Sequence, residues 1–112
     1  MSRVTTHVLD TSNGRPAEGV PVVLERASGD EWELIGRGAT DADGRLRDLV
    51  AEGAAPGAGR YRLTFDTGAY FRDHGEAAFY PEVAVVFTVA AAEHHHVPLL
   101  LSPFGYSTYR GS

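Results

Sequence analysis

The sequence contains no cysteine and no lysine among its 112 residues. Without cysteine the chain can form no disulfide, no thiolate nucleophile and no zinc site with thiolate ligands. Cysteine usage therefore leaves the compartment open. The formal net charge of -5 is not offset by any cluster of basic residues, so phosphate-rich partners would be repelled. We expect no nucleic-acid partner.

The sequence also lacks a long apolar run. The first residues, MSRVTTHVLD, enter strand-like alternation within a few positions and contain no apolar signal segment. No stretch is long enough to span a bilayer as a helix, so we expect no membrane association and a cytoplasmic protein. A chain of 112 residues with 43% hydrophobic content suits one compact core, and we predict a single domain over residues 1–112.

Short stretches of alternating apolar and polar residues recur along the chain, separated by turns rich in glycine, proline and aspartate. We predict about seven or eight short strands, with a short helix in GAYFRDHGEAAF. This pattern is typical of an all-β sandwich. The stretches that most clearly predict strands are 3–10, 20–25, 32–40, 60–67, 81–90 and 95–102.

Two short motifs resemble functional loops, but each lacks a required residue. DADG resembles the opening of an EF-hand loop, yet Val50 stands where the bidentate glutamate is required. DADG therefore predicts a tight turn. GYSTY places Ser107 two residues after a glycine, but Tyr109 occupies the position of the second glycine of a nucleophile elbow. We expect neither a calcium site nor a serine nucleophile.

Histidines in the first and last predicted strands are the strongest candidates for a site. His7 shares a strand face with Leu9, and His96 shares one with Pro98 and Leu100, because side chains alternate along a strand. A titratable group in an apolar row is either a hydrogen-bonded core group or part of a site. If the terminal strands pair, His7 and His96 come together.

The run of three histidines predicts no metal site by itself. Neighbours in a strand point to opposite faces and cannot converge on one ion, although adventitious binding at residues 94–96 is left open. We assign only His96 to the face of the site. For any one of the three histidines, the simplest interpretation is a solvated or hydrogen-bonded residue at a strand edge. We expect no metal and no cofactor.

Four segments of the chain resemble the 5-hydroxyisourate hydrolases, the transthyretin-like enzymes of urate breakdown. The segments are THVLD, TDADGRL, YFRDHGEAAFYPEV and HVPLLLSPFGYSTYRGS. The terminal YRGS is the most specific, because the related hormone carrier transthyretin shares LLSP but not that tail. The resemblance implies a transthyretin-like (prealbumin-like) sandwich of two four-stranded sheets with one short helix. It also implies a homotetramer, a dimer of dimers, with substrate sites in the channel between dimers.

The resemblance also implies a reaction and its residues. The reaction is the hydrolysis of 5-hydroxyisourate to 2-oxo-4-hydroxy-4-carboxy-5-ureidoimidazoline. By motif, the residues that line the site are His7, Arg45, His96 and Tyr109. Ser107 lies two residues before Tyr109 and so shares its strand face, and Ser112 follows Tyr109 closely in the sequence. We therefore expect Ser107 and Ser112 to contact substrate. Family members often have tyrosine where His95 stands, on the face opposite His96, and we expect little effect on catalysis.

A histidine with a pKa near 6.5 can act as base near neutrality, and a nearby Arg45 would disfavour its protonation and hold substrate oxygens. Direct attack by water is favoured because the chain lacks an activated nucleophile. We assign His7 and His96 jointly to water activation and proton transfer, and which of the two is the base stays open. Arg45 is assigned to substrate binding and oxyanion stabilisation, and Tyr109 to closing and shaping the pocket. The alternatives are a non-catalytic carrier of a small aromatic ligand and a metal-binding accessory protein built on the histidines.

Overall fold

The computed structural model describes residues 3–54, 56–90 and 93–112, which form nine strands and one helix. The helix, α1 (Thr67–Asp73), lies between the sixth and seventh strands. The strands are β1 (Arg3–Asp10), β2 (Arg15–Pro16), β3 (Pro21–Ser28), β4 (Glu31–Ala39), β5 (Arg45–Leu46), β6 (Gly59–Phe65), β7 (Val83–Val89), β8 (His94–Ser102) and β9 (Gly105–Thr108).

The strands form two sheets. The first sheet has the order β2-β1-β8-β9, and β5 also pairs with β1; the second has the order β4-β3-β6-β7. Strands β1 and β8, which contain His7 and His96, pair with each other as expected. They are parallel along their length, whereas the other pairs are antiparallel. The predicted all-β fold of two sheets with one short helix is confirmed, but one of the two sheets has five strands. The extra strand arises because β2 and β5, each two residues long, both pair with β1.

Alternation along the strands decides which face is buried. In β8, His95, Val97, Leu99 and Leu101 point into the core, and Leu99 is fully buried. Residues of β3 and β6 in the second sheet close the other side of the core, including Leu24, Leu63 and Phe65. Burial of such side chains contributes roughly 1.5–3 kcal/mol each and fixes the strand register. The outer face of the first sheet is thereby left to the alternate residues.

A buried hydrogen bond joins α1 to the end of β1. The Tyr70 hydroxyl donates to the carboxylate of Asp10 at 2.7 Å, and Asp10 is 1% exposed. The same carboxylate accepts from the backbone and side chains of Ser12 and Asn13 in the following turn. At the helix start, Asp66 caps the backbone N–H of Ala69, which satisfies one of the free donors of the first turn.

In the part of the chain that the structure describes, no helix is long and apolar enough to cross a membrane. The predicted cytoplasmic location stays a prediction. The strand predicted at 20–25 is β3, and it begins at Pro21, which has no backbone N–H to donate. The short helix predicted in GAYFRDHGEAAF is α1.

Candidate functional site

Side chains of β5, β1 and β8 form successive rows on the outer face of the first sheet. Residues paired in register lie side by side on one face of a sheet. The register gives three such rows. The first contains Arg45, His7 and Pro98, the second contains Thr5 and His96, and the third contains Arg3 and His94. The first and last histidine-bearing strands thus bring His7 and His96 into neighbouring rows.

The DADG turn fixes Arg45 beside His7. Asp41 accepts hydrogen bonds from the backbone N–H groups of Asp43 and Arg45, each at 2.9 Å, and its own N–H donates to the Arg45 carbonyl. Gly44 adopts a left-handed φ of 76°, and its carbonyl accepts from Val8 of β1 at 2.7 Å. The turn docks β5 on β1 and so places the arginine.

A cavity of about 130 Å³ opens among these rows. Three of its residues are arginines, Arg3, Arg45 and Arg47, and none of the described residues that line it is an aspartate or a glutamate. A concentration of guanidinium groups favours ligands with carbonyl or carboxylate oxygens, because the planar N–H fork pairs with them. The other lining residues are Thr5, Thr6, His94, His96 and Ser112.

The environment of His96 keeps its imidazole neutral. Burial lowers the pKa of His96 below 6.5, and electrostatic interactions with His94, with the Arg45 guanidinium and with His7 lower it further. A hydrogen bond with the backbone of Thr5 acts in the opposite direction but does not reverse the shift. A neutral imidazole near pH 7 can accept a proton, so His96 has the charge state required of a general base.

The tail segment, residues 109–112, lies against His96. Gly111 donates its backbone N–H to the His96 carbonyl at 2.8 Å. A Cβ atom at Gly111 would lie 2.5 Å from Cδ2 of the His96 ring, so only glycine fits at this distance. Arg110 reaches back to the Glu93 carboxylate at 3.0 Å, and Ser112 borders the cavity.

The predicted site residues do not all border this cavity. Arg45, His96 and Ser112 do, whereas His7 lies in the next row beside Arg45. Ser107 pairs with Leu100 in register, on the outer face but beyond the cavity. Tyr109, which is 56% exposed, borders a second groove of about 360 Å³ that also contacts β7, and His96 borders both this groove and the cavity.

Several lining residues were not predicted from the sequence. The assignment of only His96 to this face is wrong, because His94 lies two residues earlier in the same strand and has the same orientation. Thr5 shares the face of His7 by the same rule. Arg3 and Arg47 carry no comparable signal, since charged residues near strand ends are normally solvated. His95 does point to the opposite face, as expected, and its Nδ1 lies 3.0 Å from the Glu93 carbonyl.

The side chains in the described part of the chain contain no group of three or more histidine, cysteine, aspartate or glutamate residues that could hold a metal ion. The histidines are instead engaged with a hydroxyl group, since Thr5 contacts both His94 and His96. A neutral imidazole beside guanidinium groups is suited to acid–base chemistry on a polar, oxygen-rich substrate.

The sequence profile of the HIUase/Transthyretin family matches residues 4–111. The chain belongs to this family. A family member from Rhizobium meliloti, 5-hydroxyisourate hydrolase 2, is 50% identical over 115 residues, covering 98% of this chain and 96% of the relative. The 5-hydroxyisourate hydrolase of Salmonella dublin is 48% identical over 110 residues, covering 97% of this chain and 80% of the relative.

Solved structures of the HIUase/Transthyretin family superpose closely on the chain. The 5-hydroxyisourate hydrolase of Klebsiella pneumoniae gives a TM-score of 0.88 with 42% identity, and each chain is covered completely. Sea bream transthyretin in complex with thyroxine gives the same TM-score with 36% identity, covering 96% of this chain and 93% of that one. The predicted family is confirmed. The prediction of an enzyme is confirmed as well, because the full-length relatives at 44–50% identity are named as hydrolases.

Proposed function

We propose that the chain hydrolyses 5-hydroxyisourate to 2-oxo-4-hydroxy-4-carboxy-5-ureidoimidazoline. The observation that carries this proposal is the pairing of a neutral His96 with Arg45 in one cavity. The 5-hydroxyisourate hydrolases of Salmonella dublin and Rhizobium meliloti, which match nearly the whole chain, support the same substrate. The arginine-rich lining suits a ligand that carries several carbonyl oxygens.

His96 is the proposed general base. Its Nδ1 lies 2.8 Å from the Thr5 hydroxyl, and no other described residue forms a hydrogen bond with its Nε2. Nε2 can therefore take a proton from a water molecule as that water attacks the lactam carbonyl of the six-membered ring. General-base catalysis of this kind contributes roughly 10²–10⁴ in rate. The choice of His96 over His7 rests on its position in the cavity wall.

Arg45 is the proposed stabiliser of the oxyanion. As water adds to the carbonyl carbon, the C=O bond becomes a C–O⁻ bond, and a guanidinium placed nearby stabilises the negative charge. The intermediate then expels the ring nitrogen, which takes up a proton from the protonated histidine as the C–N bond breaks. One water is consumed, and the product carries the new carboxylate and the opened ureido group.

The other predicted residues complete the site. His7 lies beside Arg45 and is proposed to share proton transfer with His96, and its electrostatic interaction with His96 also lowers the pKa of His96. Ser112 borders the cavity and is proposed to contact substrate. Ser107 and Tyr109 are proposed to contact substrate only in an assembly, since in one chain they lie outside the cavity.

We propose that the single-domain chain assembles as a homotetramer, a dimer of dimers, with its sites in the channel between dimers. In one chain the cavity is about 130 Å³, below the roughly 300–1,000 Å³ of typical ligand pockets, so a second copy would supply the missing wall. Phe104, in the β8–β9 turn, is 75% exposed and would be covered in such an assembly. Sedimentation velocity of the 12.0 kDa chain tests this directly.

A carrier of a small aromatic ligand is the alternative, and the likeness to sea bream transthyretin favours it. A carrier has no need of a neutral histidine beside an arginine, whereas a hydrolase does. The two functions are separated by incubating the protein with excess 5-hydroxyisourate. A hydrolase consumes many equivalents per chain; a carrier protects at most one equivalent from spontaneous decay.

The test of the proposed mechanism uses three variants, His7→Ala, Arg45→Ala and His96→Ala. Each is expected to abolish the rapid loss of enzymatically generated 5-hydroxyisourate, followed by ultraviolet absorbance, without changing the sedimentation coefficient. Arg60→Ala is the matched control, because Arg60 is exposed on β6 in the other sheet. Full activity in any two of the three variants would overturn the assignment.

A further inference from the structure

The Thr5 hydroxyl lies between two histidine rings. Its Oγ1 is 2.6 Å from Nε2 of His94 and 2.8 Å from Nδ1 of His96. Thr5 is 4% exposed and pairs with His96 in the β1–β8 register, so the backbone holds this arrangement. The two ring centroids are 6.1 Å apart. The three side chains thus form a hydrogen-bonded chain across two strands.

The hydrogens available to these three hydrogen-bonded side chains allow two arrangements. A hydroxyl has one hydrogen to donate, so it can donate to one ring nitrogen and must accept from the other. In the first arrangement His96 donates its Nδ1–H to Thr5, and Thr5 donates to His94. In the second the direction is reversed, and the proton of His96 is on Nε2. Only the first arrangement leaves the Nε2 lone pair of neutral His96 free.

The role proposed for His96 separates the two arrangements. A general base needs a free lone pair on the nitrogen that faces the attacking water, and the Thr5 hydroxyl already occupies Nδ1 at 2.8 Å. With Nε2 as the reactive nitrogen, the proton of the neutral ring would lie on Nδ1. The Thr5 hydroxyl would then accept from His96 and donate to Nε2 of His94, which lies 2.6 Å away.

We propose that Thr5 and His94 are positioning residues that hold the proton of neutral His96 on Nδ1 and leave Nε2 as the base. The inference deepens the proposed function, because it assigns the reactive atom of the proposed base. The logic is that of a catalytic triad, in which a hydrogen bond to the distal nitrogen fixes the tautomer of the working histidine. His94 contributes the acceptor that lets the Thr5 hydroxyl point away from His96.

The tautomer can be measured without substrate. In ¹⁵N-labelled protein at mildly alkaline pH, two-bond ¹H–¹⁵N correlation spectra distinguish a protonated Nδ1 from a protonated Nε2. We expect His96 to have its proton on Nδ1, with the Nε2 resonance at the position of an unprotonated nitrogen. A proton on Nε2 would overturn the proposal. This result does not depend on which substrate the chain hydrolyses, so it separates this inference from the proposed function.

Kinetics with 5-hydroxyisourate give the second readout. Thr5→Val keeps the shape of the side chain but removes the hydroxyl, and we expect kcat to fall roughly tenfold to hundredfold, a part of the general-base contribution, with KM changed by less than about twofold. Thr5→Ser keeps the hydroxyl and should restore most of kcat. Thr11→Val is the control, because the Thr11 hydroxyl donates to the Leu101 carbonyl and contacts no histidine.

His94 is tested by a matched pair of substitutions. His94→Leu removes the acceptor and should lower kcat to the level of Thr5→Val, whereas His94→Gln offers a side-chain oxygen to Thr5 and should retain more activity. In both Thr5→Val and His94→Leu, the His96 spectrum should shift toward protonated Nε2. Wild-type kcat together with an unchanged tautomer in Thr5→Val would overturn the proposal. If Thr5→Val does not fold, the wild-type tautomer alone decides.

Discussion

Gly111 lies close to the ring of His96 and donates its backbone N–H to the carbonyl of the same residue at 2.8 Å. One residue of the tail thus restrains both the backbone and the imidazole of the proposed base. The contact is made by a residue of YRGS, the segment on which the resemblance to the hydrolases most depends. The glycine provides the close approach, and the neighbouring Ser112 then borders the cavity.

Gly111→Ala should reduce kcat at least about tenfold, because the new methyl group would lie 2.5 Å from Cδ2 of His96 and 3.1 Å from Cγ of Pro98. Either the tail or the ring must move. The measurement is the initial rate of 5-hydroxyisourate loss. Gly105→Ala is the control, since its nearest neighbour, Ser102 Oγ, is 3.7 Å away. Equal rates for the two variants would contradict the role of the contact.

Arg45→Lys should retain only a small part of the activity. Lysine keeps the charge but lacks the planar fork that holds two oxygens, so the loss should fall mainly on kcat/KM, by roughly tenfold to hundredfold. The expected order of rates is wild type, then Arg45→Lys, then Arg45→Ala. Full activity in the lysine variant would show that charge alone suffices at this position.

The rate should fall on the acid side of neutrality as His96 takes up a proton. Burial and electrostatic interactions with His94, Arg45 and His7 lower the pKa of His96 below 6.5, so kcat/KM should stay high at pH 6.5 and decline only at lower pH. In Arg45→Ala the guanidinium charge is lost, and the pKa of His96, followed by NMR titration, should be higher than in wild type. A midpoint above about 6.5 in the wild type would contradict this environment for the base.

Tyr70→Phe should destabilise the fold without affecting the site. It removes the donor that lies 2.7 Å from the Asp10 carboxylate, and the expected loss is about 1–3 kcal/mol of unfolding free energy. Tyr80→Phe is the control, because Tyr80 is 39% exposed. Urea unfolding measures both variants, and kcat for Tyr70→Phe should be unchanged at temperatures well below the unfolding transition.

The stability contributed by Asp10 should depend on pH. Burial raises the pKa of Asp10, but hydrogen bonds from Ser12, Tyr70 and Asn13 together outweigh it and hold the pKa below 3.8. The stabilisation is therefore present above about pH 4 and is lost as the pH falls through the folded-state value. The difference in unfolding free energy between wild type and Tyr70→Phe should shrink in strong acid. A difference that grows there would contradict this direction.

Most of the strands could be predicted from the sequence, because each has one buried face and therefore a regular alternation. The short strand β2 and the strand β9 were not singled out, since Arg15–Pro16 lies within a turn-rich stretch and Gly105–Thr108 has no buried alternation. Strand pairing also explains why His7 and His96 could be placed together before the structure was known.

The cavity itself was only partly predictable. Counting by two from His96 reaches His94 as directly as Pro98, and Thr5 follows from His7 in the same way, so both signals were present in the sequence. The position of Tyr109 was not predictable, because the chain leaves regular pairing after β9 and returns to β8 only at Gly111. Ser107 and Tyr109 remain predicted contacts that depend on the assembly.

The most direct test of the proposed function is the rate at which the purified protein consumes freshly generated 5-hydroxyisourate, compared with spontaneous decay in the same buffer. We predict decay that accelerates in proportion to protein concentration, continues through many equivalents per chain, and returns to the spontaneous rate with His96→Ala. Decay at the spontaneous rate at every concentration of folded wild-type protein would contradict the assignment of a hydrolase.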